Sequence, residues 1–203
     1  MIKTIIFDIG RVLVEWDWEG YVKRIIPDEE KAVAVGRAFF QSPYYIEFDR
    51  NVLTPQEVVE KITADNPQYG EEFRLIFSRY GESIRQFDYT IPWIEELRAR
   101  GFKVLYLSNY AVPMRNQTQR QLSFIDYMDG GIFSCDIKLV KPDCRIYETL
   151  LNKYSLKAEE CVFVDDMEIN IEGAQRVGMK GIVFKSYDEA CDEMVRMINA
   201  GNC

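Results

Sequence analysis

The chain of 203 residues contains no histidine. That absence excludes a Ser-His-Asp triad, a Cys-His dyad and a histidine general base. Zinc held by imidazole is excluded with them. Positive charge is also scarce, with 25 Lys and Arg against 33 Asp and Glu, a net charge of −8 at pH 7. Nucleic-acid binding normally needs a basic surface, so no such partner is expected. No apolar run approaches the roughly 18 residues of a membrane span, so no membrane partner is expected either. Residues 1–8 lack the long apolar stretch and small-residue cleavage site of a signal peptide. The five cysteines (Cys135, Cys144, Cys161, Cys191, Cys203) are odd in number and show no C-x-x-C spacing. With no secretion signal they read as reduced thiols of a cytoplasmic protein. They read as small buried hydrophobes, with Cys203 exposed at the terminus. Internal repeats and low-complexity tracts are missing as well.

What is present is an alternation. Short apolar runs at 2–7, 103–107, 161–164 and 181–184, with a weaker one at 131–133, predict strands. Between them, helical spacing predicts helices over 92–100, 143–154, 168–177 and 187–198. Strands alternating with helices imply a Rossmann-like, doubly wound parallel sheet covered on both faces. Residues 16–90 differ, because they hold no strand run of comparable strength. Thr54-Pro55-Gln56-Glu57 is a capping box that opens a helix to about Ala64. Helices are also predicted over 29–40 and 71–84. The expected organisation is therefore an α/β core of residues 1–15 and 91–203 with an inserted helical cap of residues 16–90. A single α-rich core is the alternative, but it leaves the first strand far from its parallel neighbours.

In open parallel sheets, ligands bind outside the C-terminal strand ends. Three predicted strands end there in polar residues: Asp8, Ser108-Asn109 and Asp165-Asp166. Lys141-Pro142 stands just before a predicted helix. Asp8, Asp165 and Asp166 would repel one another unless a cation sat among them. An all-oxygen set of two or three carboxylates suits Mg²⁺, which also takes phosphate oxygens. Ser108 adds a hydroxyl and Lys141 a positive charge. Together these groups make a kit for phosphoryl transfer, with a carboxylate attacking in line.

Four segments carry a resemblance. They are Phe7-Asp8-Ile9-Gly10-Arg11-Val12-Leu13, Leu107-Ser108-Asn109, Lys141-Pro142-Asp143 through Tyr147, and Phe163-Val164-Asp165-Asp166 followed by Asn170, Gly173-Ala174 and Gly178. In order and placement they resemble the motifs of the haloacid dehalogenase-like (HAD) hydrolase superfamily, in its subclass with an α-helical cap. The look is nearest to α-glucose-1-phosphatase-like enzymes and to the phosphatase domain of epoxide hydrolases. The resemblance implies that Asp8 is a nucleophile forming an aspartyl-phosphate. It implies that Mg²⁺ is held by Asp8, the Gly10 carbonyl and Asp166, with Asp165 and Asn170 in outer or water-mediated contact. Asp165 is also placed to orient Lys141. Ser108 and Lys141, with Asn109 beside them, would hold the phosphoryl oxygens of a small-molecule phosphate, with sugar phosphates first. A monomer or a homodimer would serve.

One position departs from the family pattern. Most phosphatases of the family carry an aspartate two residues after the nucleophile, as the acid that protonates the leaving alcohol. Here that position is Gly10. Such help is worth about 10²–10⁴-fold, so a substitute is expected among Glu15, Asp17 and cap carboxylates such as Glu47 and Asp49. A dehalogenase-like hydrolase needs no acid and is one alternative. A binding or regulatory module on the same fold is the other. Paired Asp165 and Asp166 favour Mg²⁺ and hence phosphate.

The remaining candidates read two ways. Trp16 and Trp18 are placed to line a substrate mouth or to pack between core and cap. The aromatic segment 43–50 is expected between cap helices, facing the site or packing within the cap. Arg11 is placed for phosphate or for a surface ion pair. Lys138 competes with Lys141, which is preferred because Pro142 then starts a helix.

Overall fold

The computed structural model describes residues 1–200; Cys203, expected to be exposed, lies outside them. The chain opens with β1 (Thr4–Phe7) and β2 (Val14–Trp16). Five helices follow: α1 (Trp18–Ile25), α2 (Glu29–Phe40), α3 (Pro43–Asp49), α4 (Pro55–Asp65) and α5 (Gly70–Ser78). Then come β3 (Ile84–Gln86), α6 (Thr90–Ala99), β4 (Lys103–Ser108), α7 (Val112–Gln117), β5 (Gly131–Phe133) and α8 (Ser134–Ile137). The chain continues through α9 (Cys144–Lys153), β6 (Cys161–Asp165), α10 (Glu168–Arg176), β7 (Lys180–Val183) and α11 (Tyr187–Ala200).

Five strands form one parallel sheet in the order β5-β4-β1-β6-β7. β1 is central because both its faces are apolar. Successive side chains point to opposite faces. Ile5 and Phe7 enter one core layer with Trp93 of α6 and Met194 of α11. Ile6 enters the other with Ile146 and Leu150 of α9 and Ile171 of α10. The chain leaves β1 toward β4 and β5, then crosses back to β6 and β7 on its other side. β1 is thus the switch point at which open α/β sheets form a crevice. Gly101 and Gly178 stop α6 and α10 with φ of +87° and +90°, a left-handed geometry that glycine takes without strain.

The Thr54 capping box forms as expected, with Glu57 N–H donating to Thr54 Oγ1 at 3.2 Å and Thr54 N–H to Glu57 Oε2 at 2.8 Å. Two local expectations need correction. The helix predicted to reach Ile84 ends at Ser78, and Ile84–Gln86 instead forms a strand. That strand pairs antiparallel with β2, Trp16 opposite Ile84 and Val14 opposite Gln86. Segment 43–50 is not a connection but mostly helix α3, started by Ser42, whose hydroxyl accepts the Tyr44 N–H at 3.0 Å. The helical segment packs round its own aromatic cluster, in which Phe39, Phe48 and Phe77 meet edge to face. Among the described residues no helix is long and apolar enough to cross a membrane.

Candidate active site

The parallel register brings the strand ends level. Phe7 stands opposite both Tyr106 of β4 and Val164 of β6. Asp8 therefore emerges level with Asp165 and one step before Ser108. The Asp8 N–H continues the ladder to the Val164 carbonyl at 2.8 Å. The backbone then turns sharply, with Leu13 N–H returning to the Ile9 carbonyl at 2.9 Å. Arg11 takes the left-handed conformation at φ +58°, uncommon for a residue with a side chain and a local cost that surrounding structure must hold.

Lys141 is the hub. Its ammonium lies 2.8 Å from Asp8 Oδ1 and 2.6 Å from Asp165 Oδ2, and its side chain is 1% exposed. Burial alone would pull its pKa down, but the charges of Asp165 and Asp8 outweigh that and hold it above the ordinary value. The Asn109 amide grips the Lys141 backbone at both ends, accepting from its N–H at 2.8 Å and donating to its carbonyl at 3.1 Å. The Lys141-Pro142 peptide is cis. Lys138 is exposed at the end of α8, away from these groups.

Asp165 is fully buried and held from several sides. It accepts from the Met167 N–H at 2.8 Å and from the Asn170 amide at 3.0 and 3.1 Å, besides Lys141. Asp8 and Asp166 keep free oxygen lone pairs. Asp166 lies 3.5 Å from Arg11, whose guanidinium also sits 5.4 Å from the centre of the Trp16 ring. Burial, helped by Asp165, raises the Asp166 pKa. Burial raises Asp8 from 3.8 to about 6, Lys141 opposing and Asp165 adding.

Asp8, Asp165 and Asp166 each offer an oxygen, and these atoms lie within 4.8 Å of one another. The three carboxylates face two cations, Lys141 and the half-exposed Arg11. The uncompensated negative charge and all-oxygen donor set fit a small divalent cation.

A cavity of about 200 Å³ opens over these groups. Asp8, Gly10, Ser108, Asn109, Lys141, Asp166 and Asn170 line its floor, while Trp16, Tyr45, Asp49 and Tyr80 line its cap side. Trp18 is instead buried, tilted against Phe40. The Tyr45 and Tyr80 hydroxyls share a hydrogen bond of 3.1 Å. Tyr80 and Tyr110 had drawn no notice in the sequence. Tyr110 was within reach of detection, because it follows directly on Ser108-Asn109. Tyr80 carries no such signal, since no candidate site residue stands near it in the chain.

A parallel sheet with an aspartate at its central strand end, a buried lysine beside it and helices above defines an aspartate-centred hydrolase architecture. The chain belongs to the haloacid dehalogenase-like hydrolase family, whose model matches residues 2–178. It is 26% identical to the sesquiterpene phosphatase astK of Aspergillus oryzae over 196 residues, covering 97% of this chain and 96% of that one. The fold matches the HAD-family enzyme bt-2542 of Bacteroides thetaiotaomicron, solved with magnesium and inorganic phosphate, at a TM-score of 0.70 and 20% identity. That match covers 92% of this chain and 96% of the other. It also matches the L-2-haloacid dehalogenase of Xanthobacter autotrophicus at 0.68 and 17% identity, covering 97% and 83%. The chain is thus a HAD-family hydrolase with phosphatases among its relatives.

Proposed function

We propose that this hydrolase is a Mg²⁺-dependent phosphatase of small phosphomonoesters, with sugar phosphates first, working through an aspartyl-phosphate on Asp8. The observation that carries the reading is the grouping of Asp8 with buried Lys141 at 2.8 Å and with Asp166 in one carboxylate cluster. Asp8 Oδ is the attacking atom, held at the central strand end and facing the cavity. Lys141 sets the direction of that carboxylate and places positive charge where phosphoryl oxygens would lie. Ser108 supplies a hydroxyl on the cavity floor. Asn109 acts through Lys141, whose backbone it holds. Asp165 and Asn170 fix the ammonium and the turn behind it. Mg²⁺ held by Asp8, the Gly10 carbonyl and Asp166 would supply Lewis-acid charge against the phosphoryl oxygens.

Residues 16–90 serve as the cap in this reading. The short β2–β3 pairing, which joins the two ends of the helical segment, supports that boundary. A cytoplasmic location with reduced thiols belongs to this reading; Cys135, Cys144, Cys161 and Cys191 are free. Hydrolysis of a carbon–halogen bond is the second reading. It draws on Gly10, which leaves the nucleophile turn without an acid, and three clustered carboxylates weigh against it.

The test is phosphate release from sugar phosphates, nucleotides and p-nitrophenyl phosphate in Mg²⁺ buffer, with halide release from 2-haloacids in parallel. Phosphate release that is abolished in Asp8→Asn is expected. Halide release alone, or wild-type rate in Asp8→Asn, overturns the reading.

A further inference from the structure

The first bond-breaking step leaves a chemical demand unmet. When the phosphorus–oxygen bond to an alcohol breaks, the departing oxygen needs a proton. Asp8 is forming the new bond. Lys141 already points its protons at Asp8 and Asp165, and those charges strengthen its hold on them. The Tyr45 and Tyr80 hydroxyls are engaged with each other. Asp166 faces Arg11. Gly10 has no side chain, although a Cβ built there would meet nothing within 4 Å.

Four carboxylates are candidates from the sequence, and the structure separates them. Glu15 is exposed and paired with Arg85 at 3.1 Å. Asp17 caps α1 by accepting the Gly20 N–H. Glu47 is paired with Arg50 at 2.9 Å. Asp49, the last residue of α3, is 8% exposed and lines the cavity together with Asp8 and Lys141. Among the described residues its carboxyl has no hydrogen bond and no ion pair.

The Asp49 backbone is also tied to the catalytic floor. The buried Ser134 hydroxyl donates to the Asp49 carbonyl at 2.6 Å, and its oxygen accepts the Tyr110 N–H at 2.8 Å. Tyr110 stands two residues after Ser108. A cap carboxyl is therefore held in register with the loop expected to bind the phosphoryl group.

We propose that Asp49 is the acid–base residue of this site, reaching down from the cap to do work that no side chain at position 10 can do. The assignment rests on the phosphatase reading. In the first step Asp8 Oδ bonds to phosphorus, the bond to the leaving oxygen breaks, and that oxygen takes the Asp49 proton. In the second step water bonds to phosphorus and gives a proton to the Asp49 carboxylate, while the bond to Asp8 breaks. Both carboxyl groups return to their starting states.

The surroundings suit a proton carrier. Burial pushes the Asp49 carboxyl up to about 8, with Lys141 pulling the other way and Asp8 adding to the rise. The other groups that face it are the phenols of Tyr45, Tyr80 and Tyr110 and the Cys135 thiol. None of these carries a charge at neutral pH. Asp49 then holds its proton at pH 7 and is ready to give it.

The test uses aryl leaving groups that share the phenyl ring and differ in basicity, with each variant compared against wild type on the same substrates. kcat/KM is measured for wild type and Asp49→Asn on a series from p-nitrophenyl phosphate to unsubstituted phenyl phosphate. Nitrophenolate departs without a proton, whereas phenolate gains from one. Asp49→Asn should lower the phenyl-to-nitrophenyl ratio by about 10-fold or more, since general acids are worth about 10²–10⁴-fold. Asp49→Ala, run in parallel, gives the same readout should the amide variant fail to fold. An unchanged ratio, however large the overall loss, overturns the assignment and leaves Asp49 a packing residue. No phosphate release by wild type from any of the series overturns the phosphatase reading and this assignment with it.

Discussion

Replacing Lys141 with methionine tests whether the site is held together by charge. The side chain keeps its apolar stem and loses its ammonium. Asp8 and Asp165 are then left facing one another, at 9% and 0% exposure. Removing one partner of a buried ion pair costs about 3–5 kcal/mol, because the other charge stays behind unpaired. Two features place this site at the low end. Asp165 keeps its bonds from Met167 N–H and the Asn170 amide. Asp8, already raised to about 6, can take a proton once the lysine is gone. We expect a loss of about 3 kcal/mol at pH 7, or a fall of about 6–12 °C in Tm for a chain of this size.

The sign of the pH dependence follows from Asp8. Its folded pKa lies above its unfolded value near 3.8. Its ionisation therefore works against the fold increasingly as pH rises from about 4 to about 6. Without Lys141 the folded pKa climbs further and the unfavourable window extends upward. The gap between wild type and Lys141→Met should thus be wider at pH 7 than at pH 5. Urea denaturation in metal-free buffer at the two pH values reads it directly. A loss below about 1 kcal/mol with an unchanged m-value, or a wider gap at pH 5, would refute the reasoning.

Three further predictions need less development. Mg²⁺ at 100 times its Kd should stabilise the wild-type protein by about 2.7 kcal/mol, and Asp166→Ala should need at least about tenfold more Mg²⁺ for the same thermal shift if one carboxylate ligand is lost; identical titrations would remove Asp166 from the ligand set. Asp143→Ala removes the cap of α9, where Asp143 accepts the Arg145 N–H at 3.0 Å, and should cost about 1 kcal/mol at pH 7. Hydrogen bonds from Arg145 hold the Asp143 carboxyl down to about 2, so this contribution is full above the unfolded value near 3.8 and fades as pH falls through 2; an equal loss at pH 7 and pH 2 would contradict it.

The core was legible because its strands are buried on both faces. Residues 161–164 can hardly be anything else, and Gly101 and Gly178 mark helix ends in the way left-handed stops require. The floor of the site was legible for the same reason, since polar residues at the ends of such runs stand out. β2 and β3 were not. Each has three residues, and neither forms a recognisable strand without the other, which lies 70 positions away where Arg85 meets Glu15. α3 carried a readable start at Ser42-Pro43, but its aromatic content suggested a connection facing the site. Asp49 and Glu47 looked alike in the sequence because both are acidic and two positions apart. A helix turns about 200° over two residues, so one meets Arg50 at the rim and the other enters the cavity.

The placement of β1 has a consequence for the order of events during synthesis. Thr4 pairs with Lys103 on one side and with Cys161 on the other. Of the five strands of this sheet, β1 comes first in the sequence and is the middle one of the finished sheet, and both of its edges stay open until distant partners arrive. An apolar strand exposed for that long is an aggregation hazard, and long-range parallel pairing is intrinsically slow. Asp8 waits equally long for Lys141 and Asp165. The carboxylate cluster of Asp8, Asp165 and Asp166 therefore forms only when β6 joins the sheet.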